Sequence, residues 1–229
     1  MSSAASILQR QYKELTKNPV PGFVVDLKND SIFEWEVAII GSPKTIYEGG
    51  YFKATMSFPE DYPFNPPTFR FNREFYHPNV YPDGRLCISI LHPPGDDPVS
   101  GEKAEERWNP TQADPLFFMA IHKSVESVLV SIISLLADPN CSSPANVDAG
   151  VAYRKNRDLF DSIVKTQVEA SKKDIPPGFQ MPKSEKDFML AAPAEIEEDE
   201  NFWYESAEES DFLDDEEDDD MDDHSSGGK

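Results

Sequence analysis

Cysteine is nearly absent from this chain, with two thiols, Cys87 and Cys141, among 229 residues. Neither has a second cysteine at ligand spacing, which argues against a thiolate metal centre, and no metal is expected. The opening residues Met1 to Ser6 lack a basic segment followed by an apolar one, so no secretory signal is expected. Two cysteines without an export signal read as reduced thiols of the cytoplasm or nucleus. No stretch approaches the roughly 20 apolar residues of a membrane span, so no membrane partner is expected. Basic residues are also scarce, 21 against 43 acidic ones, for a net charge of -22. Eighteen of those acids lie between Glu195 and Asp223, where no basic residue stands, and the rest of the chain is close to neutral. An acidic tail on a body without a basic stripe disfavours nucleic acid as a partner.

What the chain does have is concentrated in Tyr76–Leu91. A His77-Pro78-Asn79 tripeptide is joined to Cys87 through Tyr81 and a turn set by Pro82, Asp83 and Gly84. The short apolar run from Ile88 to Leu91 follows, then a polar loop rich in proline. This pattern puts one thiol at the rim of a packed domain, with the Asn79 amide able to point at whatever the sulfur carries. Covalent chemistry on sulfur fits it.

Around that stretch the periodicity predicts an α+β domain. Ile7, Leu8, Gln11, Tyr12 and Leu15 line one side of a helix over 6–17, while Arg10 and Lys13 face away. That helix is either a plain amphipathic surface helix or one whose basic face docks a partner. Apolar residues alternate along 23–28, 33–39, 51–58 and 68–71, which predicts four strands joined as an antiparallel meander. Four prolines between Pro59 and Pro67 stiffen the loop before the last strand. There Phe64 either presents an exposed aromatic or caps the core. A loop from His92 to Glu106 carries Asp96, Asp97, Glu102, Glu105 and Glu106, and Trp108-Asn109-Pro110 closes it. Helices are expected over 124–136, capped by Ser124, and from Val147 to Ala170 with Val151, Phe160, Ile163, Val164 and Val168 inward. Pro176-Pro177-Gly178 is read as the edge of the folded domain, and the acidic remainder as too poor in apolar residues to fold.

Residues from about 7 to 171 resemble the ubiquitin-conjugating enzymes. The motifs that carry the resemblance are Tyr47-Glu48-Gly49-Gly50, the 58–71 segment, His77-Pro78-Asn79, Cys87, Trp108-Asn109-Pro110 and Leu135-Leu136-Ala137-Asp138-Pro139-Asn140. The long loop and acidic tail look like the subfamily that works with cullin-RING (SCF-type) ligases in cell-cycle control. The resemblance implies a ubiquitin-conjugating fold over 1–173, with an acidic loop at 95–106, and a disordered acidic tail over 174–229. It implies that Cys87 accepts ubiquitin as a thioester from an activating enzyme, which uses the ATP. The acyl group then passes to substrate or ubiquitin lysines, building chains for proteasomal targeting. No cofactor is expected.

By the same resemblance, Asn79 stabilises the oxyanion or the loop that shapes it, and His77 buttresses that loop. The first helix with Arg10 and Lys13, Phe64, Trp108 and Pro110 would meet the activating enzyme and the ligase. The helix after Ser124 would pack on the linked ubiquitin. Ser143 stands where most of the family carries an aspartate near the acceptor lysine, and Ser89 fits the subfamily pattern. The acidic loop would then supply the missing negative charge. Phe202, Trp203, Tyr204, Phe212 and Leu213 punctuate the tail and would anchor it in a basic groove of the cullin.

One segment departs from the family. Residues 113–123 are inserted where relatives pass straight into the helix at Ser124. They either lengthen that helix, exposing Leu116, Phe117, Phe118 and Met119, or are translated non-coding sequence, the reading preferred. An inactive conjugating variant acting as a binding module is the alternative function. A cysteine hydrolase fits less well, since it would want its thiol at a helix start with a histidine as base.

Overall fold

The structure is a computed structural model that describes residues 4–95, 102–109, 125–182 and 184–190. The insert 113–123, Ser124, Asp96, Asp97, Pro110 and the tail beyond 190 lie outside the described residues.

The first helix, α1 (Ala4–Lys17), buries Ile7, Leu8 and Leu15 and leaves Arg10 and Lys13 exposed. Four strands follow: β1 (Phe23–Lys28), β2 (Ser31–Ile40), β3 (Tyr51–Ser57) and β4 (Thr68–Phe71). They form one antiparallel sheet in the order β1-β2-β3-β4, the expected meander. Lys28 pairs with Ser31, so Asn29 and Asp30 alone make the first hairpin turn. Both take left-handed φ, 53° and 58°, which these short polar side chains tolerate and which matches strand twist.

Period-two alternation sends Phe23 of β1, Trp35, Val37 and Ile39 of β2, and Ala54 and Met56 of β3 to one face. These join α1 and the helices α2 (Val125–Ala137), α3 (Val147–Lys155) and α4 (Arg157–Ser171) in the main core.

The single helix expected from Val147 to Ala170 is two helices. Asn156 ends α3 with its backbone N–H on the Ala152 carbonyl, and its side chain accepts the Leu159 N–H to start α4. The break rotates the two apolar stripes apart, so Phe160, Val164 and Val168 are buried, Ile163 is half-buried and Val151 faces solvent.

The domain edge expected at residue 173 is also corrected. Beyond Pro176-Pro177-Gly178 the chain crosses the other face of the sheet and enters a last helix, α5 (Glu185–Leu190). Phe188 is buried with Ala38, Ile40 and Tyr51, and Val24, Ile175, Phe179 and Met181 pack around them. Asp174 fixes the start of this segment by a two-point ion pair to Arg73, at 2.6 and 2.9 Å.

Candidate active site

After β4 the chain turns back through Tyr81–Arg85. The Tyr81 N–H donates to the Arg85 carbonyl and the Gly84 N–H to the Tyr81 carbonyl. Gly84 has φ +89°, and a Cβ there would stand 2.5 Å from the Phe71 carbonyl oxygen, so only glycine fits. The turn is tied to the sheet by the Leu86 N–H on the Phe69 carbonyl, with the Leu86 side chain buried. Cys87, one residue on, projects the other way and is half-buried, its N–H held by the Asn79 carbonyl at 2.9 Å.

His77 and Asn79 are built into the body of the protein. His77 is fully buried, and its Nδ1 accepts the Asn79 N–H at 3.0 Å, leaving the ring proton on Nε2. Burial drives its pKa down to about 4, with the Leu135 backbone partly offsetting. A neutral, enclosed imidazole cannot trade protons with Cys87, so His77 is a support. The Asn79 Nδ2 donates to the Asn140 carbonyl and its Oδ1 accepts the Asn140 N–H. Both ends of that amide are therefore spent on the loop after α2. Of the two roles expected for Asn79, loop shaping is the one this arrangement serves. The Asn146 N–H donates to the Pro78 carbonyl while its side chain caps α3. Ser143 lies exposed between those two anchors.

The polar neighbours of the sulfur come from the turn before it and from the long loop. Tyr81 Oη donates to Sγ at 3.8 Å, and the Arg85 guanidinium lies 5.0 Å over the Tyr81 ring. A three-residue helical turn, Ser89–Leu91, brings His92 back so that Nε2 stands 3.9 Å from Sγ. His92 Nδ1 meets the Glu102 Oε2 at 2.7 Å, the Ser89 hydroxyl donates to the other Glu102 oxygen at 2.9 Å, and Arg107 Nε lies 3.8 Å away. The His92 contact holds the Cys87 pKa below its ordinary value against the opposing effect of burial. The reciprocal contact with Cys87, helped by Glu102, raises His92 to about 9. Burial pushes Glu102 up, but hydrogen bonds to His92 and Ser89 outweigh it and leave its pKa lowered.

The structure brings Tyr81, Ser89 and Glu102 around Cys87 and sets Asn79 and His77 in the support beneath it. His92 was missed. It lies five residues beyond Cys87, and only the intervening turn folds it back. Trp108 needs a correction as well. It is 1% exposed, and its indole N–H donates to the Pro63 carbonyl at 2.7 Å, so it is a pillar and offers no contact face of its own. What it props up is the proline-rich loop, which Tyr62 also ties to α1 through Gln11. Phe64, on that loop, is 65% exposed. No group of side chains able to hold a metal ion occurs among the described residues.

The ubiquitin-conjugating enzyme family model matches residues 7–168. The chain belongs to the ubiquitin-conjugating enzyme family. It is 50% identical over 214 residues to "Ubiquitin-conjugating enzyme E2-34 kDa" of Saccharomyces cerevisiae, covering 90% of this chain and 68% of that protein. It is 54% identical over 173 residues to "Ubiquitin-conjugating enzyme E2 13" of Arabidopsis thaliana, covering 74% of this chain and 96% of that one. Human "Ubiquitin-conjugating enzyme E2 G2" is 48% identical over 170 residues, with coverage of 74% and 96%. The family resemblance read from the motifs is therefore borne out, as is the fold of helix, four-stranded sheet and helices. The chain is a ubiquitin transferase that works through a thioester, with an activating enzyme and a ligase as partners.

Proposed function

We propose that Cys87 is the residue that carries ubiquitin, and that a cullin-RING ligase directs its transfer to substrate or ubiquitin lysines in cell-cycle control. The observation that carries this reading is a half-exposed sulfur at the end of a turn braced on both sides, by the sheet and by the Asn79–Asn140 clasp. A thiol so placed admits the flexible C-terminus of another protein while its own backbone stays still. A free thiol is nucleophilic enough to exchange with a thioester. Asn79 and His77 shape the loop beside the reacting carbon.

Arg10, Lys13 and Phe64, all exposed, form the docking face for activating enzyme and ligase, with Trp108 beneath the loop that carries Phe64 and Pro110 assigned to the same face by the family resemblance alone. Ser143 cannot do a carboxylate's electrostatic work on an incoming lysine, so the acidic loop supplies that charge. The acidic stretch from Glu195 meets a basic groove on the cullin through fast electrostatic encounter and aromatic anchors. The protein works in cytoplasm and nucleus, where its thiol stays reduced.

The test is to mix the chain with activating enzyme, ATP and ubiquitin. A thiol-sensitive adduct forms, and Cys87→Ser converts it to a thiol-resistant ester or abolishes it. Rising salt, or truncation before Glu195, lowers the rate of association with a cullin-RING ligase; unchanged rates would remove the cullin from the account. Neutralising Asp96, Asp97, Glu105 and Glu106 together slows lysine attack and leaves loading intact. Equal loss of loading would make the loop structural only.

A further inference from the structure

Resting on the assignment of the thioester to Cys87, we propose that His92, oriented by Glu102, is a catalytic residue that takes the Cys87 proton and holds the unloaded sulfur as one half of an ion pair. The geometry is a chain of three groups. Sγ lies 3.9 Å from Nε2, at the long end of sulfur hydrogen bonding, and Nδ1 lies 2.7 Å from the carboxylate. An Nδ1–H donated to Glu102 leaves the Nε2 lone pair facing sulfur, the tautomer a base requires, and a carboxylate on the far nitrogen stabilises the imidazolium.

Each member is itself held. Ser89 and Arg107 fix Glu102, and the His92 backbone is pinned by its N–H on the Ser89 carbonyl and its carbonyl under the Trp108 N–H. The other histidine nearby is excluded, because His77 is sealed off and its Nδ1 is taken by Asn79.

The charged and titratable groups facing the pair support the same state. From the turn, Tyr81 donates to the sulfur, which favours the thiolate, and Arg85 sits behind its ring, tied to Asp83 at 2.7 Å. From the loop, Glu102 opposes the thiolate directly and Arg107 tempers it. A lowered Cys87 and a raised His92 are the titration signature of such a pair.

The step balances without a further reactant. The Sγ–H proton moves to Nε2. Sγ bonds to the carbonyl carbon of the ubiquitin thioester on the activating enzyme. The bond from that carbon to the activating enzyme's sulfur breaks, its electron pair stays on that sulfur, and the proton on His92 is passed to it. Once acylated, Cys87 carries no charge and His92 keeps only Glu102. Glu102 acts through His92 and is a positioning residue.

The experiment is alkylation of the full-length chain by iodoacetamide between pH 5 and 9.5, with the Cys87 and Cys141 peptides followed separately by mass spectrometry. In the native chain the Cys87 profile lies below that of an ordinary thiol, and His92→Gln or Glu102→Gln moves it upward. Below both pKa values, a displacement of one pH unit lowers the rate about tenfold. Cys141 serves as the internal reference for folding and does not move. Single-turnover uptake of ubiquitin from a preloaded activating enzyme follows the same course, with His92→Gln slow at pH 6.5 and restored near pH 9. If native Cys87 titrates as an ordinary thiol and His92→Gln changes neither profile, the ion pair is refuted while Cys87 remains the carrier. If the native chain takes up no ubiquitin at any pH, the reading beneath the proposal fails with it.

Discussion

Asn79 and Asn140 clasp each other: the Asn79 Nδ2 donates to the Asn140 carbonyl and the Asn140 N–H donates back to Oδ1, both at 2.9 Å. This pair joins the turn that carries Cys87 to the end of α2, so the two walls of the site move as one.

Asn79→Ala removes both bonds and strands the Asn140 backbone groups, which costs about 1–3 kcal/mol of stability. Asn79→Asp keeps the acceptor but turns a carboxylate oxygen toward a carbonyl. Its stability relative to the native chain improves as pH falls and the acid regains a donor. Urea midpoints of the three proteins at pH 7 and pH 4.5 check this, and parallel losses at both values would contradict it.

His77 makes its own pH signature. Its folded pKa, about 4, lies below the ordinary 6.5, so the unfolded chain binds more protons between those values. Its contribution is whole above pH 6.5 and is lost as pH falls toward 4, by an amount on the order of 3 kcal/mol. His77→Asn keeps a side-chain acceptor for the Asn79 N–H and cannot titrate. The variant is less stable at pH 7, and the gap closes on acidification. Denaturant titrations at pH 7, 5.5 and 4.5 measure it.

The segment beyond residue 173 is a strap over the sheet, and Phe188 is its anchor. Phe188→Ala lowers stability by about 2 kcal/mol, less than a central aromatic because Phe188 belongs to the smaller of the two clusters. Ending the chain after Asp174 exposes Ala38, Ile40 and Tyr51 and lowers the melting temperature further. Ending it before Glu195 leaves that temperature unchanged. Calorimetry of the three separates a packed strap from a mere linker.

The strands were legible because each turns one face to the core, and alternation at Phe23, Val25 and Leu27 or Phe52, Ala54 and Met56 reports that directly. The strap was not, because Pro176-Pro177-Gly178 punctuates the chain and its apolar residues are widely spaced. A hint did exist in β2, where Val37, Ala38, Ile39 and Ile40 run without a polar break, the mark of a strand covered on both faces. The break at Asn156 is not legible in the sequence, since periodicity alone does not register a side-chain cap. Cys87, Asn79 and His77 could be read because a short turn brings them together. The partnership of His92 with Glu102 depends on how a long polar loop closes, and spacing carries no record of that. The buried place of Trp108 is not legible either, because a motif shows which residue is present and says nothing of which way its ring faces.

Where ubiquitin rides is measured most directly by isolating the loaded chain from activating enzyme, digesting it without thiols, and mapping the modified peptide. The account predicts a Gly-Gly remnant on the peptide containing Cys87, released by hydroxylamine, with Cys141 unmodified. A remnant on Cys141 or on a lysine, with Cys87 free, would contradict it.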